Sequence, residues 1–168
     1  MDGKKYKLDF ELVPDGCWYS NLRSVLKPQY WDAVRRDAYA RAGGRCMICG
    51  RAVKRLEAHE RWAYDEDARI QKLTDVVAVC RQCHAVIHIG RTQLMGGEKE
   101  AADWFMRVNG CNYAAYRAAL GRANEEHRRR NRIGEWRLDI SWLKEHFSAP
   151  LAGGPPLPEA GENGGGTK

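Results

Sequence analysis

Four of the six cysteines fall into two matched pairs, Cys46-Met-Ile-Cys49 and Cys80-Arg-Gln-Cys83, with 30 residues between them. Zinc takes four thiolates at equal distance. A two-residue spacer lets both sulfurs of a knuckle point at one centre, and Gly50 relaxes the first turn. The pattern predicts one structural zinc ion held by all four thiols. Such a site has no open coordination position, so chemistry must happen elsewhere. A redox site of the thioredoxin kind needs one such pair at the head of a helix and not two, which makes that reading the weaker one. Cys17 and Cys111 lack this pairing and are expected to be small buried apolar groups.

His84 and His88 stand four residues apart just after the second knuckle. On a helix they share one face at a spacing suited to chelating a second metal. A zinc ion at Cys80 and Cys83 would hold that helix in a fixed place. His59 lies on a strand-like stretch before the polar loop, and His127 and His146 are expected to be structural.

These residues need elements to place them, and the chain of 168 residues is long enough for one domain and a modest core. Residues 1–44 read as an extended arm followed by a helix that Pro28 opens and Gly43-Gly44 ends, with Trp31, Val34 and Ala38 at helical spacing. Residues 45–90 hold the cysteines and the histidine pair. Within them, strand-like residues from Leu56 to Trp62, a polar loop from Asp65 to Gln71 and the apolar run Val76 to Val79 lead into a short helix reaching His88. Residues 91–147 carry two further helices, 101–108 and 113–127, then a short strand at Trp136, Leu138 and Ile140. In the second helix Tyr113, Tyr116, Leu120 and Ala123 form an apolar stripe read as core. Residues 148–168 are rich in Pro and Gly and are expected to be disordered. The fold class expected is α+β.

Within this frame the chain resembles the HNH endonuclease family in its four-cysteine version. The match rests on Cys46-Met-Ile-Cys49, Leu56-Glu-Ala-His59-Glu60, and Leu73-Thr-Asp75 through Cys80-Arg-Gln-Cys83-His84-Ala-Val-Ile-His88, and it covers Cys46 to Gly90. The resemblance implies a ββα-metal core on the zinc site, flanked by helices, and metal-dependent hydrolysis of phosphodiester bonds in DNA. It places His59 as the general base and His84 and His88 as ligands of a catalytic divalent metal, Mg²⁺, Mn²⁺, Ni²⁺ or Zn²⁺. Asp75 stands where the family has its central Asn, which orients the base. Ala58 stands where the family usually has a metal ligand. Either Glu57 or Glu60 supplies that carboxylate, or the register shifts so that His59 is the ligand and Glu60 the base. The expectation is His59 as base with Glu60 close to the metal, because a neutral imidazole is in the right state to take a proton from water.

The formal charge of +6 favours a polyanionic partner, here nucleic acid. Arg35 and Arg36 on the first helix, and Arg51, Lys54 and Arg55 beside the hairpin, are placed to touch phosphates. The basic run containing Arg128, Arg129 and Arg130 is a further candidate. No apolar stretch suggests a membrane span or a secretory signal, and a cytoplasmic location is expected. The competing reading is a non-catalytic zinc module that binds nucleic acid or protein.

Overall fold

The computed structural model describes residues 5–147, so the tail expected to be disordered, 148–168, lies outside the described residues. After a 3-10 turn at Asp15–Cys17, the helices are α1 (Leu22–Val25), α2 (Pro28–Ala42), α3 (Arg81–Ile87), α4 (Ile89–Leu94), α5 (Glu98–Asn109), α6 (Tyr113–Asn131) and α7 (Trp142–His146). The strands are β1 (Glu57–Asp65), β2 (Ile70–Val79) and β3 (Arg137–Asp139), and the fold is mixed α+β.

The two longer strands form an antiparallel hairpin in which His59 pairs with Val77 and Asp65 with Ile70. β3 joins parallel to β2, pairing Ile70 with Arg137. Of the polar stretch read as a loop, Glu66 to Arg69 form the turn, and its ends, Asp65, Ile70 and Gln71, belong to the strands. Asp65 Oδ1 accepts the Ala68 N–H at 2.8 Å, and Arg69 takes a left-handed φ of 55°. These side-chain and backbone features close the turn and free Gln71 for the ladder.

The hairpin separates two apolar layers, and the strand period of two explains which residue faces which. On one side Val77 and Val79 pack with Ile87 of α3, Phe105 of α5, Tyr116 of α6, and Leu8 and Phe10 of the arm. On the other, Val76 and Ala78 pack with Leu22 of α1, Val34 and Ala38 of α2, and Leu143 of α7. The N-terminal arm is thus core material. Its position is fixed by Asn109, whose side chain bonds both the N–H and the carbonyl of Leu8.

α2 begins at Pro28 and ends at Gly43, which adopts a left-handed φ of 56°. Both signals stand in the sequence. α1, α4 and α7 are helices of 4 to 6 residues without a long apolar stripe, which hid them from periodicity. Tyr113 is a correction to the expected α6 stripe: it is 56% exposed and stacks on the buried Tyr116. Cys17 is buried as expected, whereas Cys111 is only half-buried. No described helix is long and apolar enough to cross a membrane.

Candidate metal centres

The first knuckle follows α2, and its turn is closed by Gly50 N–H donating to the Cys46 carbonyl at 2.8 Å and Cys46 N–H to the Arg51 carbonyl at 3.0 Å. The second knuckle begins where β2 ends, with Cys80 at the N-cap of α3 and its sulfur accepting from Cys83 N–H. Met47 N–H donates to the Ala78 carbonyl at 3.0 Å, which lays one knuckle beside the other. One sulfur from each of Cys46, Cys49, Cys80 and Cys83 lies within 4.8 Å of the other three. The Cys49 and Cys80 sulfurs are 3.9 Å apart, close to the roughly 3.8 Å edge of a tetrahedron with zinc–sulfur bonds near 2.3 Å.

The electrostatics of this cluster suit a dication. A hydrogen bond from the Cys83 thiol holds Cys46 down at about 4, and the same bond, with burial, pushes Cys83 up. Burial raises Cys80 too. Four sulfurs this close do not all ionise without a positive charge between them. Trp104 of α5 donates its indole N–H to the Cys83 sulfur at 3.3 Å, an outer contact to which no spacing in the sequence points.

On the same side of the hairpin a second group converges. His59 from β1, His84 from α3 and His88 at the α3–α4 junction each bring one ring nitrogen within 4.8 Å of the other two. Their ring centroids are 5.4 Å (His59–His84), 5.1 Å (His59–His88) and 4.6 Å (His84–His88) apart. Burial, aided by the charges of His59 and His84, lowers His88 to about 3. Burial lowers His84 as well, against the opposing effect of its hydrogen bond to the Glu57 carboxylate. Both therefore stay neutral near pH 7, with lone pairs available to a metal. The donor set fits a divalent ion.

No protein-family model, no curated protein and no solved structure matches this chain.

Two carboxylates address the histidines. Glu57 Oε2 lies 2.5 Å from His84 Nδ1, which leaves Nε2 of that ring for an ion. Glu11 Oε2, from the arm, lies 2.7 Å from His59 Nε2. Glu11 was missed by sequence reasoning, since nothing in the spacing of an arm 48 residues upstream announces its partner.

Glu60 is not brought to the histidines. As the next residue after His59 on a regular strand it faces the opposite layer, where Oε1 accepts the Leu22 N–H at 3.0 Å and Oε2 the Trp62 indole N–H at 3.2 Å. Burial raises its pKa against those two hydrogen bonds. The expected place of Glu60 near the metal gives way to strand alternation. Ala58 packs in that same layer, so a carboxylate there would also start on the wrong face. Asp75 is elsewhere as well: Oδ1 accepts its neighbour's Val76 N–H at 2.7 Å and faces Arg41 at 3.3 Å. It orients α2 against β2 and does not touch His59, whose carboxylate neighbour is Glu11.

The histidines open onto a cleft of about 1690 Å³ lined in part by Trp31, Arg35, Arg55, Trp62 and Arg91. Arg55, Arg91 and the nearby Arg23 are exposed and have no ion pair among the described residues. Arg35 is paired with Asp32 at 2.7 Å. Arg36 and Lys54 are exposed away from the cleft lining. Arg51 bonds Gln82 and lies over the Trp104 ring. Arg129 grips Glu66 with two bonds of 2.7 and 2.8 Å, and Arg130 bonds Glu66 and Glu126 and lies over Tyr64, so this part of the basic run ties α6 to the hairpin turn. Arg128 stays exposed. His127 bonds the Val13 carbonyl, and His146 bonds Asp37 and stacks on Trp142, both structural as expected.

Proposed function

We propose that the protein is a metal-dependent endonuclease of the HNH type that hydrolyses phosphodiester bonds of DNA, with a structural zinc ion on the four cysteines and a catalytic divalent ion at the histidines. The observation that carries this reading is the convergence of His59, His84 and His88, one nitrogen each within 4.8 Å, on the hairpin and helix that the cysteine cluster frames. A pure binding module has no need of three buried or half-buried imidazoles around one point.

The distances support His59 as a third ligand in preference to the general base that the resemblance implies, because one nitrogen of its ring lies within 4.8 Å of one on each of the other two imidazoles. A divalent ion held there would polarise a phosphoryl oxygen and acidify the attacking water. The chain's own residues do the rest. Glu57 fixes the His84 ring so that Nε2 faces inward. Arg55 and Arg91, unpaired on the cleft wall, are the phosphate contacts this geometry supports best, and Arg35 can join them by leaving Asp32. Such contacts hold the backbone in line and read no sequence. A cytoplasmic setting, where thiols stay reduced, fits the six free cysteines.

The test is a plasmid-nicking assay on zinc-loaded protein with added Mg²⁺, Mn²⁺ or Ni²⁺. Cleavage is expected that EDTA stops and that His84→Ala abolishes. DNA binding without cleavage under every ion would reject the enzyme reading in favour of a non-catalytic zinc module.

A further inference from the structure

Glu11 sits on an arm that the core holds rigidly. Leu8 is fully buried, Phe10 nearly so, and the Glu11 N–H donates to the Ile87 carbonyl at the end of α3 at 3.0 Å. The carboxylate therefore enters the histidine group from a fixed direction. Oε2 stands 2.7 Å from His59 Nε2. Among the described residues, the ion partner of Oε1 is Arg61 Nε at 3.8 Å, beyond hydrogen-bond reach. A carboxylate 2.7 Å from one of the three imidazoles, with its second oxygen held only at ion-pair distance from Arg61, has coordination capacity to spare.

From this we infer that Glu11 is the fourth protein ligand of the histidine centre, which makes it a three-histidine, one-carboxylate site selective for borderline transition ions such as Ni²⁺, Co²⁺ or Zn²⁺ over Mg²⁺. The inference rests on the metal-site reading above and adds a ligand and a metal class to it. Neighbouring ligands of a tetrahedral ion bound at about 2.0–2.1 Å lie roughly 3.3 Å apart. The Glu11–His59 pair must then open by about half an ångström to admit an ion between its two atoms, and Glu11, which stands outside the group of three lying within 4.8 Å of one another, must close on His84 and His88. Glu57 cannot take this place while it holds His84 through Nδ1 on the outer side of the ring. Glu60 and Ala58 face the other layer. Three imidazole nitrogens and one carboxylate form a donor set that a hard, octahedral, strongly hydrated Mg²⁺ accepts poorly and a borderline ion accepts well.

The experiment is calorimetric titration of Ni²⁺ and of Mg²⁺ into full-length, zinc-loaded protein, comparing the parent with Glu11→Gln and with Glu57→Gln as an outer-shell comparator. Zinc content and melting temperature check folding. The expected result is tighter binding of Ni²⁺ than of Mg²⁺ by the parent. Glu11→Gln should lose at least about tenfold in Ni²⁺ affinity, and more than Glu57→Gln does. A glutamine still accepts a hydrogen bond from His59, so a role limited to orienting that ring would leave Glu11→Gln close to the parent and overturn the inference. A loss no larger than that of Glu57→Gln would overturn it too. A parent that binds zinc at the cysteines but takes up no second ion would overturn the metal-site reading itself, and the inference with it. Should Glu11→Gln lose its zinc, Glu11→Asp, which keeps the charge but withdraws it by one methylene, is read by the same criteria.

Discussion

The His59 side chain is only 5% exposed and meets a carboxylate, Glu11, and two other imidazoles. Burial of this kind suits a ligand better than a base, which must exchange protons with water. The consequence is measurable. His59→Ala, His84→Ala and His88→Ala should each lose the second ion in calorimetry while the cysteine-bound zinc stays. A His59→Ala protein that binds the ion like the parent but cannot cleave would restore His59 as the base. Glu60 makes the opposite case, since its carboxylate is committed to Leu22 and Trp62. Glu60→Ala should keep ion affinity and lose stability by about 1–3 kcal/mol, the usual cost of leaving a buried donor unpaired. Chemical denaturation of both proteins reads the difference.

Among the elements, α3 carries the densest set of duties. Its N-cap is Cys80, its first turn holds Cys83 and its face presents His84, so the position of the histidines depends on the sulfur cluster. Stripping zinc with a strong chelator should therefore abolish uptake of the second ion as well as melt the region of the two knuckles, because the bound metal is what ties one knuckle to the other. Cys80→Ser should do the same. Ellipticity and ion titration on the stripped protein test both. α6 is held at its far end by the Arg129–Glu66 fork, backed by Arg130. The Arg129 hydrogen bond holds the Glu66 carboxyl below its ordinary 4.5. A depressed carboxyl adds stability that is present above the unfolded value and lost as pH falls through the folded one. Glu66→Gln should thus lower the melting temperature at pH 7, and its difference from the parent should shrink as pH falls below the ordinary 4.5 and vanish once pH has passed the depressed folded value, as Glu66 protonates. A difference that persists in acid would show that the fork does not act through this charge.

Taken whole, the molecule is a hairpin between two apolar layers, and the arm closes the layer that bears the site. Leu8 lies fully buried among Phe105 and the second knuckle's neighbours. Leu8→Ala should destabilise by about 2–5 kcal/mol, the range for an aliphatic side chain cut from a packed core. Because the same arm carries Glu11, this change should also weaken uptake of the second ion, although Leu8 does not touch it. Thermal melting and ion titration on one preparation read both effects.

What the sequence determined by itself is local. Two-residue spacing between cysteines, the i, i+4 histidines, Pro28 and Gly43 at the ends of α2, and the apolar run before Cys80 each fix geometry over a few bonds. For that reason the cysteine cluster and the α+β class were legible from spacing, while the approach of His59 to His84 and His88 was an expectation carried by the resemblance. The tertiary structure decided whatever depends on which face a side chain takes or which distant segment arrives. Strand alternation turned Glu60 away, Arg41 drew in Asp75, Glu66 absorbed Arg129 and Arg130, and burial of Leu8 and Phe10 delivered Glu11 to His59. These outcomes follow from packing across long sequence separations, where a single residue of register decides between the site and the opposite layer.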